Sequence, residues 1–276
     1  MKKVELEYKT WWWPWPRHKR GRIPTSWEEM TLLQYLAVVM AVMGDVDMMK
    51  YHSMMFGLPE KLLLCLDEYQ TYRLQKTTEW MSEKMETSRM IIPSVEGLQA
   101  PEDALGGVTL QQFMTADTYF GYFADSIKND MKDGDIGLLC HFVASLYMKS
   151  NEHYEVSSVR KTFFDLPGQD ERLVDIAGNA NMLERRADRV LLYGIYLNWL
   201  MVKAWLGRLF PLLFPEGDPD DKPQGHAKNA WLNTFYSFVG DDVAHLEEYK
   251  RLECMDAFRI MSNRIKDSYK KQSWKG

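Results

Sequence analysis

The chain is poor in the spacings from which sites are usually read. Its cysteines, Cys65, Cys140 and Cys254, are odd in number, far apart and form no CxxC pair. That leaves neither a zinc knuckle nor a disulfide framework, and it points to a reducing compartment. No GxxxxGKS/T, GxGxxG, GxSxG or HExxH occurs, so no phosphate cradle, dinucleotide turn, nucleophile elbow or zincin helix is legible. The histidines, His18, His52, His141, His153, His226 and His245, do not pair at metal-ligand spacing. Positive charge is not in excess either: the formal net charge is −5 and the pI about 5.8. A general nucleic-acid binder needs a basic face to displace counterions, so that class is set aside. MKKVELEYKT at the N-terminus lacks the apolar stretch of a secretory signal.

What is present is a chain of 276 residues, 46% hydrophobic and 26% charged. That is an ordinary globular balance, enough for one large domain or two small ones. Methionine (18) and tryptophan (10) are abundant; Met fills irregular gaps in a core and also adapts to varied partner surfaces. The longest nearly charge-free run is VLLYGIYLNWLMVKAWLGRLFPLLF, residues 190–214. A bilayer needs about 20 consecutive apolar residues, but here Lys203, Arg208 and Asn198 interrupt the run. Each Lys or Arg at mid-membrane costs roughly 3 kcal/mol on insertion scales. Gly194 and Pro211 limit one uninterrupted span further. The run therefore reads as a buried central helix rather than an integral membrane span, and a helix apolar on nearly all sides must be covered by others.

Residues 1–22 form a Trp-rich basic arm. A weak alternation (Val4, Leu6, Tyr8) suggests a short edge strand. Trp11, Trp12, Trp13, Pro14, Trp15 and Pro16 follow, and then Arg17, His18, Lys19, Arg20 and Arg22. Proline disfavours helix and keeps the chain extended. Trp and Arg are enriched at interface hot spots, so Trp11, Trp12, Trp13, Trp15, Arg17 and Arg20 are the candidate partner-binding residues. Interfacial membrane binding and folding back onto the chain's own core are the alternatives for this arm.

Residues 23–90 read as an N-terminal helical subdomain. Thr31 and Gln34 have capping-box spacing, and Leu32, Leu36, Val39, Met40 and Met43 fall on one helical face. Short helices are expected over 46–56 and 59–66, and a longer polar one over 67–88. Residues 91–108, with Pro93, Gly97, Pro101, Gly106 and Gly107, read as a linker. Residues 109–276 read as the main helical subdomain, which opens on a second capping-box pair, Thr109 and Gln112. Helices are expected there over 136–148, 170–187, 226–239 and 241–270. The fold class expected is mainly α, a multi-helix orthogonal bundle around the apolar helix with an extended arm or strand at the N-terminus.

Chemistry-bearing clusters are sparse. Asp242 and His245 stand at i, i+3 beside Glu247 and Glu248. A di-iron bundle would need two Glu-x-x-His elements plus two further Glu, so no metal and no cofactor is expected. Cys140 and His141 are adjacent on an expected helix, where neighbours point about 100° apart, which speaks against a dyad.

The order of short motifs resembles a group of Bacteroidetes phage and prophage proteins described as tail assembly chaperone-like. Ile23-Pro24-Thr25-Ser26-Trp27-Glu28-Glu29-Met30-Thr31 with Gln34 is similar to their IP-x-x-W-x-E-L-T-x-x-Q opening, with Met30 where the pattern has Leu. Thr109, Gln112, Phe113, Met114, Ala116, Asp117, Thr118 and Tyr119 follow their second motif. Leu139 to Tyr147, Phe210 to Phe214, and Trp231 with Val239, Gly240 and Asp242 continue the order. The Trp-rich arm is not part of it. The resemblance implies a non-enzymatic, all-helical protein in the host cytoplasm during assembly, with phage tail proteins (tape measure or tube) as partners and no catalytic residues to carry over. A structural tail protein retained in the virion is the first alternative, and an enzyme or metal-binding protein built on Asp242, His245 and Glu248 the second. A homo-oligomer is left open.

Overall fold

The computed structural model describes residues 1–10, 13–149, 169–214, 230–240 and 242–273. The chain is mainly helical, as its periodicities predict. It divides into two compact units, Met1–Thr87 and Ser88–Gly276.

The first unit begins with two antiparallel strands, β1 (Lys2–Thr10) and β2 (Trp13–Ile23), paired from Lys2 opposite Ile23 to Thr10 opposite Trp13. The basic arm is therefore a paired strand rather than a free extended segment. The register shifts between Tyr8 and Thr10, opposite the stretch that holds Pro14 and Pro16. Proline has no N–H to give to a ladder, so it sits at edges and bulges. The stem is fixed at its other end: a Cβ on Gly21 would lie 3.2 Å from the Phe56 carbonyl oxygen, and Ile23, Trp27 and Met30 are buried.

The helices of this unit are α1 (Leu32–Val42), α2 (Met48–Phe56), α3 (Glu60–Leu63), α4 (Glu68–Lys76) and α5 (Trp80–Glu83). Thr31 caps α1 through a reciprocal pair: its Oγ1 accepts from the Gln34 N–H, and Gln34 Oε1 accepts from the Thr31 N–H at 3.1 Å. The single helix expected over 67–88 is broken into α4 and α5. At the break, the Thr77 and Thr78 hydroxyls donate to the carbonyls of Leu74 and Gln75. Such bonds compete with the helix's own pattern.

The second unit opens on residues 91–108, which differ from the expected linker. They form β3 (Ser94–Val95) and β4 (Leu98–Gln99), which join β5 (Met148–Lys149) in a small antiparallel sheet of order β3-β4-β5. Glu96 and Gly97 both take positive φ, the requirement of a two-residue type I′ hairpin. The Pro and Gly signals thus mark tight turns in a packed segment, where Ile91, Ile92, Val95, Leu98, Leu105 and Val108 are all buried.

Its helices are α6 (Leu110–Ser126), α7 (Ile136–Leu146), α8 (Gln169–Arg186), α9 (Arg189–Leu209), α10 (Ala230–Val239), α11 (Leu246–Arg251) and α12 (Cys254–Ser273). The helix expected over 241–270 is two, because Glu253 leaves the helix to bridge Thr109, and the Leu252 carbonyl accepts from the Leu110 N–H.

The apolar run is α9, ended by Phe210 and a turn at Pro211. By length and composition α9 could cross a bilayer. In the structure it is packed against α6 and α7. Phe120 stacks on Tyr196 (5.1 Å between centroids), and Trp199 meets both Phe113 and Phe142. Asn198, which breaks the run, is fully buried; its side chain accepts from the Ile91 N–H and donates to the Arg89 carbonyl. A buried amide needs such partners, and they belong to the segment that starts this unit.

Candidate functional site

A buried carboxylate, Asp117, sits in the second unit's core on the face of α6 that also carries Phe113, Ala116, Phe120 and Phe123. Its carboxylate is 8% exposed and nevertheless well supplied with donors. Trp199 Nε1 donates to Oδ1 at 3.2 Å, Trp231 Nε1 donates to Oδ2 at 2.7 Å, and Lys203 Nζ lies 2.9 Å from Oδ1. Lys203 also lies over the Phe120 ring, 4.9 Å from its centroid. Burial works to raise the carboxyl's pKa, but the Lys203 charge and the three donors outweigh it and hold it below the usual carboxylate range. A carboxylate so bound is a poor proton acceptor at neutral pH. It is a knot that ties α6, α9 and α10 together.

Beside the knot, the opposite face of α6 forms one wall of a cleft of about 600 Å³. Gln111, Met114, Thr115, Thr118, Tyr119 and Tyr122 follow helical spacing along that wall. Trp231, Phe235 and Tyr236 of α10, Leu173 of α8 and Lys250 of α11 complete it. The side-chain oxygen of Gln111 is buried and has no hydrogen-bond partner among the described residues. Tyr119 packs against His141 at 5.1 Å and edge-on to Tyr122. Lys250 is bound to Glu247 at 2.7 Å. The walls are aromatic and apolar with a few polar groups, as in sites that receive organic groups.

The other chemistry-bearing residues do not converge on this cleft. Cys140 is buried, and burial pushes its thiol up to about 12, which leaves it without thiolate character. Asp242 accepts from both His245, at 2.6 Å, and the Tyr249 hydroxyl; these bonds lower the carboxyl and raise the imidazole. Among the described residues no group of three His, Cys, Asp or Glu could hold a metal ion.

Of the partner-binding candidates, Trp13, Trp15, Arg17 and Arg20 fall on β2. Trp15 is 70% exposed, and Arg20, also exposed, has Nε 3.5 Å from Glu5 Oε1. Trp11 and Trp12 lie outside the described residues, as do the side chains of Trp13 and Arg17. Thr109 caps α6, its Oγ1 accepting from the Gln112 N–H at 3.2 Å. The expected second capping box is only half formed, because Gln112 does not turn back to Thr109. Its Nε2 donates instead to the Ser145 and Leu146 carbonyls at 3.1 Å each, at the end of α7. The Asp117 knot and its cleft were not foreseen from the sequence. Asp117 stood only within the motif resemblance, and nothing local announces donors 82, 86 and 114 residues away. Comparison of the chain with protein-family models, with curated proteins and with solved structures gave no match.

Proposed function

We propose that this chain is a non-enzymatic, chaperone-like protein of phage tail assembly, which binds a tail component such as the tape measure protein in the host cytoplasm. The tail assignment rests on the ordered motifs along residues 23–260. The observation that carries a binding role is the outward stripe of α4. Tyr69 and Tyr72 are 67% and 52% exposed at i, i+3. Arg73 lies 5.8 Å from the centroid of the Tyr69 ring and Lys76 5.4 Å from that of Tyr72. Exposed Tyr held by cationic neighbours is the composition of interface hot spots, and cation–π contact keeps the rings outward at little entropic cost. Leu32, Leu33 and Val42 of α1 and Met48 of α2 add exposed apolar area in the same unit. An amphipathic client helix needs such a surface.

The test is co-expression with the neighbouring tail genes followed by affinity capture. The expected result is retention of a tail protein at modest salt, lost in the Tyr69→Glu, Tyr72→Glu double variant. Capture of no tail protein by the wild-type chain overturns the assignment.

A further inference from the structure

We infer that the first unit docks on the surface of an anionic phospholipid bilayer, through the basic strand β2 and the exposed start of α1. Docking of this kind neither needs nor excludes a role in tail assembly.

Charge is the first observation. Residues 1–23 hold seven Lys and Arg against two Glu, a formal +5, in a chain whose total is −5. The other residues therefore carry −10, so an anionic surface attracts this segment and repels the rest. The strand register sets where the positive charge is spent. Glu5 stands opposite Arg20, 3.5 Å from its Nε, and Glu7 stands opposite His18. Lys19 is opposite Leu6, and Arg22 is opposite Lys3, so neither has an acid across the ladder. Like charges directly opposite destabilise a strand pair, and a layer of anionic headgroups over Lys3 and Arg22 relieves that repulsion. Lys2, Lys19, Arg20 and Arg22 are all exposed.

Charge alone would suit any polyanion, and two apolar features favour a bilayer. Trp15 is 70% exposed between Pro14 and Pro16, whose fixed φ keeps this stretch extended. Indole rings settle at the headgroup level of a membrane, one part apolar and one part wet. The second feature is α1, which carries no charged residue along its length. Leu32 and Leu33 are 41% and 56% exposed, and Leu36 and Met40, half-buried, continue their face over the next two turns. Gln34 Nε2 donates to the Arg22 carbonyl at 3.4 Å, so the first turn of α1 adjoins the basic end of β2. A single-stranded polynucleotide can stack on an indole, but its phosphates offer nothing to leucine. The boundary between headgroups and acyl chains receives leucine and indole alike. Apolar area and basic charge together hold a peripheral protein on anionic lipid.

The experiment is co-sedimentation of the full-length chain with vesicles of phosphatidylcholine, alone or mixed with phosphatidylglycerol, at low and high salt. Binding is expected only where phosphatidylglycerol is present, and it should weaken as salt screens the charge. Each basic residue near the surface strengthens such binding roughly fivefold, so Lys19→Gln, Arg20→Gln and Arg22→Gln combined should weaken it about a hundredfold. Trp15→Ser should weaken it about tenfold, the effect of partly burying one large side chain. These substitutions fall at exposed positions, and circular dichroism checks that each variant keeps its helix. Absence of binding to phosphatidylglycerol vesicles at low salt overturns the proposal. So does a folded triple variant, or a folded Trp15→Ser, that binds as tightly as wild type. Equal binding to both kinds of vesicle overturns it as well, since charge would then play no part. Tighter binding to a single-stranded DNA oligonucleotide than to vesicles of equal accessible phosphate overturns it in favour of a polynucleotide.

Discussion

Asp117 is where three helices of the second unit converge, and its neighbours decide its charge. Removing one member of a buried ion pair strands the other, at a cost of about 3–5 kcal/mol. Asp117→Asn should therefore lower the urea midpoint strongly, while adding Lys203→Met should recover part of the loss; an additive pair of losses would show that the two groups do not interact. The pH dependence follows from the direction of the shift. The folded carboxyl lies below its unfolded value. Its contribution is therefore present above the unfolded pKa and is lost as pH falls through the folded one. The gap in urea midpoint between wild type and Asp117→Asn should close in acid and be widest at neutral pH. A second residue-scale prediction concerns Gly134. A Cβ there would lie 2.5 Å from Cε2 of Phe123, which is fully buried. Gly134→Ala should cost about 1–3 kcal/mol by overpacking, and a thermal melt unchanged from wild type would refute the close contact.

At the scale of elements, the two Thr-x-x-Gln pairs do more than begin helices. Gln34 Nε2 donates to the Met55 carbonyl near the end of α2, and Gln112 Nε2 donates to the last carbonyls of α7. In each unit the glutamine at the start of one helix satisfies acceptors at the close of the next, which are orphaned by helix geometry. Thr31→Ala removes only a cap and should cost about 1 kcal/mol. Gln112→Leu leaves buried carbonyls unpaired and should cost about 1–3 kcal/mol. The order of the two losses in chemical denaturation is the check, and equal losses would mean that Gln112 acts only locally. The sequence spelled out the caps at Thr31 and Thr109, because cap chemistry is local. It could not reveal the second half of each glutamine's role, which depends on a tertiary neighbour. The same limit explains why the helices expected over 67–88 and 241–270 are each broken in two. Periodicity runs unbroken past Thr77–Thr78 and past Leu252–Glu253. What stops the helix is hydroxyl back-bonding in one case and a bridge to Thr109 in the other.

For the whole molecule, the division after Thr87 predicts unfolding that is not one all-or-none event. Calorimetric and van't Hoff enthalpies should disagree, and their equality would argue for a single cooperative unit. The Pro- and Gly-rich stretch at 91–108 lies within the second unit, which begins at Ser88; turn residues look alike in a linker and in a packed hairpin. The mainly helical class and the buried apolar helix were both legible, since they rest on long-range periodicity and on the charges that interrupt it. The cleft was not, because its walls come from four helices spread between Gln111 and Lys250.

The Asp117 knot also gives the molecule an optical signature. Two indoles, Trp199 and Trp231, share one buried carboxylate, whereas Trp15 stands in water. The emission should contain one fraction that aqueous iodide quenches freely and another that it reaches poorly. Asp117→Asn should alter the colour of the shielded fraction and leave the accessible one as it was. Occupation of the cleft, whose wall includes Trp231, should then register in the light from that indole before any label is attached.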